Sequence, residues 1–322
     1  MIVFTRRRTG CLLAAILVVV IGVNALAYLH ARALTHYAPS SGDTDSPDKL
    51  SWKQISKLFF TGATVSRPAI KDRPALWTWY STHTIPSTNG VNLEAWYIPR
   101  RGASAIIVMF HGYGSSKSSL LDESAAFRAL GYGTLLVDLR GSGGSTGSVT
   151  TLGYREADDV AAGVDYARTL EPGKPVFVYG SSMGAVAVLR ALAVKGVRPA
   201  GAVLECPFDT MLSAIKNRFR MMHVPAFPAA HLVVLWGGVQ FGYNAFEHDA
   251  RAYAAKVHVP VLLIGGGDDA RVTVDQLKSV YASLAGPKQL EIFEDAGHGG
   301  YLKDDARRWR RIVGDFIKSK ER

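Results

Sequence analysis

Hydrophobic positions along the chain fall into two regimes. Residues 11–29 form one apolar run in which only Cys11, Asn24 and Tyr28 are polar. Coiled as a helix, that run reaches across the hydrocarbon of a bilayer. Arg6-Arg7-Arg8 precedes it, and basic residues on that side predict a single pass with the N-terminus cytoplasmic and the remainder exported. A cleaved signal peptide competes with this reading. Residues 12–23 make a short apolar core and Ala25-Leu26-Ala27 is an acceptable cleavage site, which would leave a secreted or periplasmic protein. Apolar residues continuing to Leu29 favour a retained anchor. Residues 39–47, rich in Ser, Gly, Asp and Thr, read as a linker. Residues 51–60 suit a short amphipathic helix with Trp52, Ile55, Phe59 and Phe60 on one side.

Further along, apolar runs become short and regular. Residues 76–85 and 91–98 are joined through Asn89-Gly90, the strongest short hairpin signal, and predict an antiparallel pair. From residue 105 the pattern alternates. Continuous apolar strands are predicted at 105–110, 133–139, 175–179, 200–204, 259–264 and 289–293, with helices at 119–130, 154–170, 185–194, 274–284 and 304–318. Strands apolar throughout and separated by helices imply an α/β fold with a mostly parallel central sheet and helices on both faces. The rhythm stops between Pro207 and Val257, where Met211, Met221, Met222, Phe227, Trp236 and Phe241 occur. A structureless loop of that length is improbable, so a small helical cap suited to an apolar ligand is expected. The chain therefore divides into a membrane anchor or signal sequence (1–36), a juxtamembrane linker (37–75), a core (76–208 and 251–322) and a cap insertion (209–250).

Composition adds limits. The chain has 322 residues, 48% hydrophobic and 20% charged, with a net charge of +10. Four of those charges flank the first apolar run, and the only other basic block is Arg307-Arg308 with Arg310-Arg311 on the last helix. Nucleic acid is thus not an expected partner; a solvated basic face or the membrane accounts for the excess. Cys11 and Cys206 are not expected to pair, and no metal-ligand spacing occurs.

Candidate chemistry centres on Gly180-Ser-Ser-Met-Gly184. It joins a predicted strand to a predicted helix, the context of a nucleophile elbow, with Ser182 at its tip. A serine hydroxyl needs a base, and His298, on the glycine-flanked loop 294–300 after the last strand, is the choice. His111 reads as structural, as do His223, His231, His248 and His258 in or beside the cap. The base needs a carboxylate to orient it; Asp268 and Asp269 follow a strand together, Glu205 is a third candidate, and Asp138 reads as orienting its own loop. Two amide donors must face the developing oxyanion. The N–H of Met183 is one, and that of Tyr113, in His111-Gly-Tyr-Gly114, is the other.

These motifs, with Asp138-Leu-Arg-Gly-Ser-Gly143, the spacing Gly266–Asp269–Val272 and Gly297-His298, resemble the α/β-hydrolase superfamily. They are most similar to its serine aminopeptidase-like and monoacylglycerol-lipase-like branch, over about residues 76–320. The resemblance implies Ser182 as nucleophile, His298 as base and Asp269 rather than Asp268 as acid, with no cofactor and no metal. Gly265 departs from the histidine often found there in relatives. The expected activity is cleavage of a small-molecule ester or acyl substrate. An amidase or aminopeptidase, with Glu247 or Asp249 reading a substrate amine, is the alternative; a non-catalytic membrane-anchored binding module is a further one.

Overall fold

The computed structural model describes residues 2–39, 61–62, 64–75 and 78–321, with side chains from Thr9 onward. Most of the expected linker, the amphipathic helix at 51–60 and the start of the 76–85 run lie outside the described residues. An eight-stranded sheet in the order β1-β2-β4-β3-β5-β6-β7-β8 forms the centre. Its strands are β1 (Ser81–Pro86), β2 (Asn92–Ile98), β3 (Ile106–Phe110), β4 (Gly133–Val137), β5 (Val176–Ser181), β6 (Gly201–Glu205), β7 (Val261–Gly266) and β8 (Lys288–Phe293). β1 and β2 form the expected hairpin, turning through Asn89 and Gly90, whose φ values of 58° and 72° are those an Asn-Gly turn accepts. β2 also runs antiparallel to β4; every later pairing is parallel. This is the α/β-hydrolase fold.

Strands β3, β4, β6 and β7 are buried at every position. Two apolar layers sandwich them. One contains α3 (Glu156–Leu170) and α4 (Met183–Val194); the other contains α2 (Leu121–Ala129) and α10 (Ala306–Lys318). On α10, Trp309, Val313 and Ile317 are buried while Arg307, Arg310 and Arg311 face solvent, so its basic block is the polar side of an amphipathic helix. The remaining helices are α1 (Ile2–Thr35), α5 (Met211–Met221), α6 (Ala229–Phe241), α7 (Ala250–Ala254), α8 (Val274–Ser283) and α9 (Tyr301–Asp304). Helices α5 and α6 occupy the stretch expected to form a cap.

Helix α1 is long and apolar enough over Thr9–Thr35 to cross a membrane. Its C-terminal third packs against the rest of the protein, chiefly along α6. Ala27, Ala31 and Ala33 are buried; small side chains let the two helices approach. Tyr28 meets Trp236 edge-on, Asn24 accepts a hydrogen bond from the Trp236 indole at 3.1 Å, and His36 stacks on Phe241. Two aromatics of the stretch expected to form a cap, Trp236 and Phe241, therefore pack against the end of α1.

Candidate active site

The site begins with a backbone constraint. Ser182 joins β5 to α4 at φ 52°, ψ −114°, a conformation that an L-residue adopts only under strain. A Cβ at Gly180 would lie 2.8 Å from the backbone of Ala185, and one at Gly184 only 2.4 Å from the carbonyl oxygen of Phe110. Side chains at these two positions would push α4 off the strands, so the turn closes only with glycine. The Ser182 N–H donates to the carbonyl of Glu205 at 2.8 Å, fixing the turn to β6.

Three side chains from separate strand ends meet here. His298 Nε2 lies 2.9 Å from Ser182 Oγ, and His298 Nδ1 lies 2.7 Å from Asp269 Oδ2. The Asp269 side chain is buried, and its other oxygen accepts the backbone N–H groups of Arg271 at 2.7 Å and Val272 at 2.9 Å. An ionised carboxylate only accepts, so Nδ1 carries the proton and Nε2 presents its lone pair to the serine. Asp268 is exposed and makes no hydrogen bond to His298. Glu205 is buried under the nucleophile and accepts from the Trp309 indole at 2.8 Å; it does not meet the imidazole. Burial raises its pKa to about 7. Gly265 lies on buried β7, and Leu277 fills the space that a side chain would take.

Tyr113 and Met183 both line the cavity that opens over Ser182. Met183 opens α4, where the first N–H groups lack helical partners. Gly112 brings the other loop close: its Cβ position lies 3.5 Å from the Cβ of Ser182. Among the described residues neither the Tyr113 nor the Met183 N–H donates to another backbone group. His111 is buried beneath the loop and is structural. Its Nε2 accepts from the Leu139 N–H at 3.0 Å, leaving Nδ1–H for the carbonyl of Gly112 at 2.8 Å; burial lowers its pKa. Asp138 holds the same loop by accepting from the N–H of Lys117 at 2.7 Å.

Sequence reasoning missed several supports. The ammonium of Lys117, fully buried, bridges Asp138 at 2.5 Å and Glu94 at 2.6 Å. Nothing in Gly114-Ser-Ser-Lys117 marks it as buried. Glu156, at the start of α3, gathers both hydroxyls of Thr150 and Thr151 and the N–H of Gly153; the paired threonines were the available signal. His248 is enclosed, donating to the carbonyl of Leu152 and accepting from the Tyr253 hydroxyl, and burial lowers its pKa to about 4.

A cavity of about 460 Å³ opens over Ser182 and His298, lined in part by Leu152, Phe208, Ile215, Met221 and Met222. Leu34, from the last turn of α1, is also in its wall. The Tyr113 hydroxyl donates to the Leu34 carbonyl at 2.8 Å, and the Thr150 N–H donates to the Thr35 carbonyl at 2.9 Å. Among the described residues, the cationic side chains on the wall are Arg218 and Arg271. Glu247 and Asp249 do not line it; Asp249 caps α7 and pairs with Arg251 at 2.7 Å. Among the described residues no carboxylate lines the cavity to receive a substrate amine.

Three His/Cys/Asp/Glu side chains, Cys206, Asp269 and His298, approach within 4.8 Å of one another. They share the imidazole that already serves Ser182, and no ligand set separate from that relay exists among the described residues. Cys206 and Cys11 are both free.

Known proteins share this architecture. The family model described as serine aminopeptidase, S33, matches residues 101–233. The uncharacterized protein YqkD of Bacillus subtilis is 27% identical over 236 residues, 72% of this chain and 77% of that one. Human protein ABHD12B is 27% identical over 209 residues, 62% of this chain and 56% of its own. Among solved structures, the Pyrococcus furiosus esterase Pf2001 superposes with a TM-score of 0.65 at 24% identity, covering 80% of this chain and 100% of that one. An acylaminoacyl peptidase from Pyrococcus horikoshii gives 0.56 at 20% identity, covering 76% of this chain and 42% of that one.

Proposed function

We infer that this chain, which belongs to the α/β-hydrolase superfamily, is a membrane-tethered serine esterase that works through an acyl-enzyme. The observation that carries the reading is the unbroken hydrogen-bonded series Ser182–His298–Asp269 at 2.9 and 2.7 Å. Ser182 Oγ attacks the ester carbonyl while its proton passes to His298 Nε2. Asp269 holds the ring in the required tautomer and stabilises the imidazolium. The carbonyl π electrons move to oxygen, where the N–H groups of Tyr113 and Met183 receive the charge. On collapse the bond to the leaving oxygen breaks and His298 returns the proton to it, leaving acyl-Ser182. Water, deprotonated by the same imidazole, then frees the acid and restores Ser182.

In this reading residues 209–250 cap the site, residues 76–208 and 251–322 form the core, and residues 37–75 connect it to the anchor. Retention of the N-terminal segment is supported by Asn24 and Ala27, which cleavage after Ala27 would remove: Asn24 accepts from the Trp236 indole and Ala27 is buried. The three arginines ahead of the apolar stretch of α1 set the N-terminus in the cytoplasm and the catalytic domain outside.

The full chain in detergent micelles, given a fluorophosphonate probe and 4-nitrophenyl esters, tests this. Labelling and turnover are expected in the wild type and absent in Ser182→Ala. Labelling that survives the substitution excludes Ser182 as nucleophile, and a wild type that neither labels nor turns over is a binding module instead.

A further inference from the structure

The cavity over Ser182 is apolar along most of its wall, yet two arginines line it. Arg218, half-buried on α5, and Arg271, exposed on the loop that carries Asp269, are the pair. Their backbones are tied together: the side-chain amide of Asn217 donates to the Arg271 carbonyl at 2.9 Å and to the Gln276 side chain at 2.8 Å. Other arginines nearby are occupied. Arg220 donates to Asn217, Arg155 to the Phe241 carbonyl, and Arg251 is paired with Asp249. Among the described residues neither Arg218 nor Arg271 enters an ion pair, and no carboxylate lines the cavity with them.

A guanidinium cannot shed its proton to suit a partly apolar surrounding, and its planar fork matches a carboxylate or phosphate. Two of them, uncompensated beside an apolar wall and a nucleophilic serine, are complementary to a molecule with both characters. We propose that Arg218 and Arg271 form a subsite for an anionic oxygen group, so that the substrates are amphiphilic esters carrying a carboxylate or phosphate away from the scissile bond. The inference rests on the esterase reading for its ester, and on these two side chains for its charge. The apolar part of the substrate lies along Leu34, Ile215 and Met222.

The anion has two sources, a soluble acid ester or a lipid headgroup, and separate assays distinguish them. In the first, the full chain in neutral detergent hydrolyses 4-nitrophenyl hexanoate and the mono-4-nitrophenyl ester of adipic acid, which match in length and leaving group. In the second, nanodiscs carry either a lysophospholipid with a glycerol headgroup, whose phosphate is negative, or a monoacylglycerol of the same acyl length, which has no phosphate. In at least one assay the anionic member is preferred. Arg218→Gln and Arg271→Gln each lower its kcat/KM by roughly tenfold or more, as loss of a charge-assisted bond does. The neutral member changes less than about twofold, and lysine at either position restores part of the loss. Equal losses on both members, or no preference in either assay, overturn the subsite.

A third measurement needs no turnover. Calorimetric binding of dodecyl phosphate to the Ser182→Ala chain weakens in both glutamine variants if the subsite exists, and is unchanged if it does not. Persistent fluorophosphonate labelling of the arginine variants shows that their Ser182 relay is intact. Failure of the esterase reading is thereby told apart from failure of the charge reading.

Discussion

Asp269 and Asp268 are neighbours with the same side chain, and their surroundings separate them. The first is buried and takes three hydrogen bonds, from two backbone N–H groups and the His298 imidazole; the second faces solvent. Asp269→Asn presents an amide to the imidazole and permits the wrong tautomer, so kcat is expected to fall by about 10⁴ with folding intact. Asp268→Asn should stay within about twofold, since it touches nothing in the relay. Steady-state hydrolysis of a neutral 4-nitrophenyl ester checks both, and comparable losses would remove Asp269 from its role. At this scale the short motifs were legible because glycines leave a readable mark: Gly180 and Gly184 are required by contacts under 3 Å. Lys117, Arg218 and Arg271 left none. A buried lysine is distinguished from an exposed one by partners twenty residues away, such as Asp138 and Glu94.

Among elements, the strands and the hairpin were predictable because each records its own burial in its own side chains. β3 is apolar throughout and lies inside the sheet. Boundaries moved by a residue or two, as at α4, which starts at Met183 rather than 185, but the run expected from 76 forms a strand only from Ser81. The docking of α1 was not readable. An apolar helix carries the same pattern whether its neighbour is lipid or protein, and only Asn24 and the alanines at 27, 31 and 33 hint at a partner. One bond joins that helix to the loop beside the nucleophile, the Tyr113 hydroxyl to the Leu34 carbonyl. Tyr113→Phe deletes it and should cost about 1 kcal/mol of stability. A lower thermal midpoint in detergent, with kcat reduced several-fold because the loop carrying the Tyr113 N–H is less firmly held, is the expected pairing. An unchanged midpoint would mean that the helix is held without it.

For the whole molecule, buried acids outside the relay govern the response to pH. Burial raises Glu205 to about 7 and Glu123, near it, to about 8, from an ordinary 4.5. Acids raised in the folded state bind more protons there than in the unfolded chain. Stability is therefore greatest below about 4.5 so far as these two groups are concerned, and declines as pH rises through 7 and 8. Glu205→Gln, which keeps a hydrogen-bond acceptor for the Trp309 indole, should flatten part of that decline in denaturant titrations between pH 5 and 8. A slope identical to wild type would show that Glu205 does not titrate in this window.

Leu34 belongs both to the helix of membrane-crossing length and to the wall of the cavity. On the proposed topology, a bilayer mismatched to the apolar stretch tilts that helix. The tilt displaces Leu34 and reshapes the chamber beside Ser182. Lipid thickness then acts as a throttle on turnover, which should peak at one acyl length when the enzyme is reconstituted across a series of phosphatidylcholines.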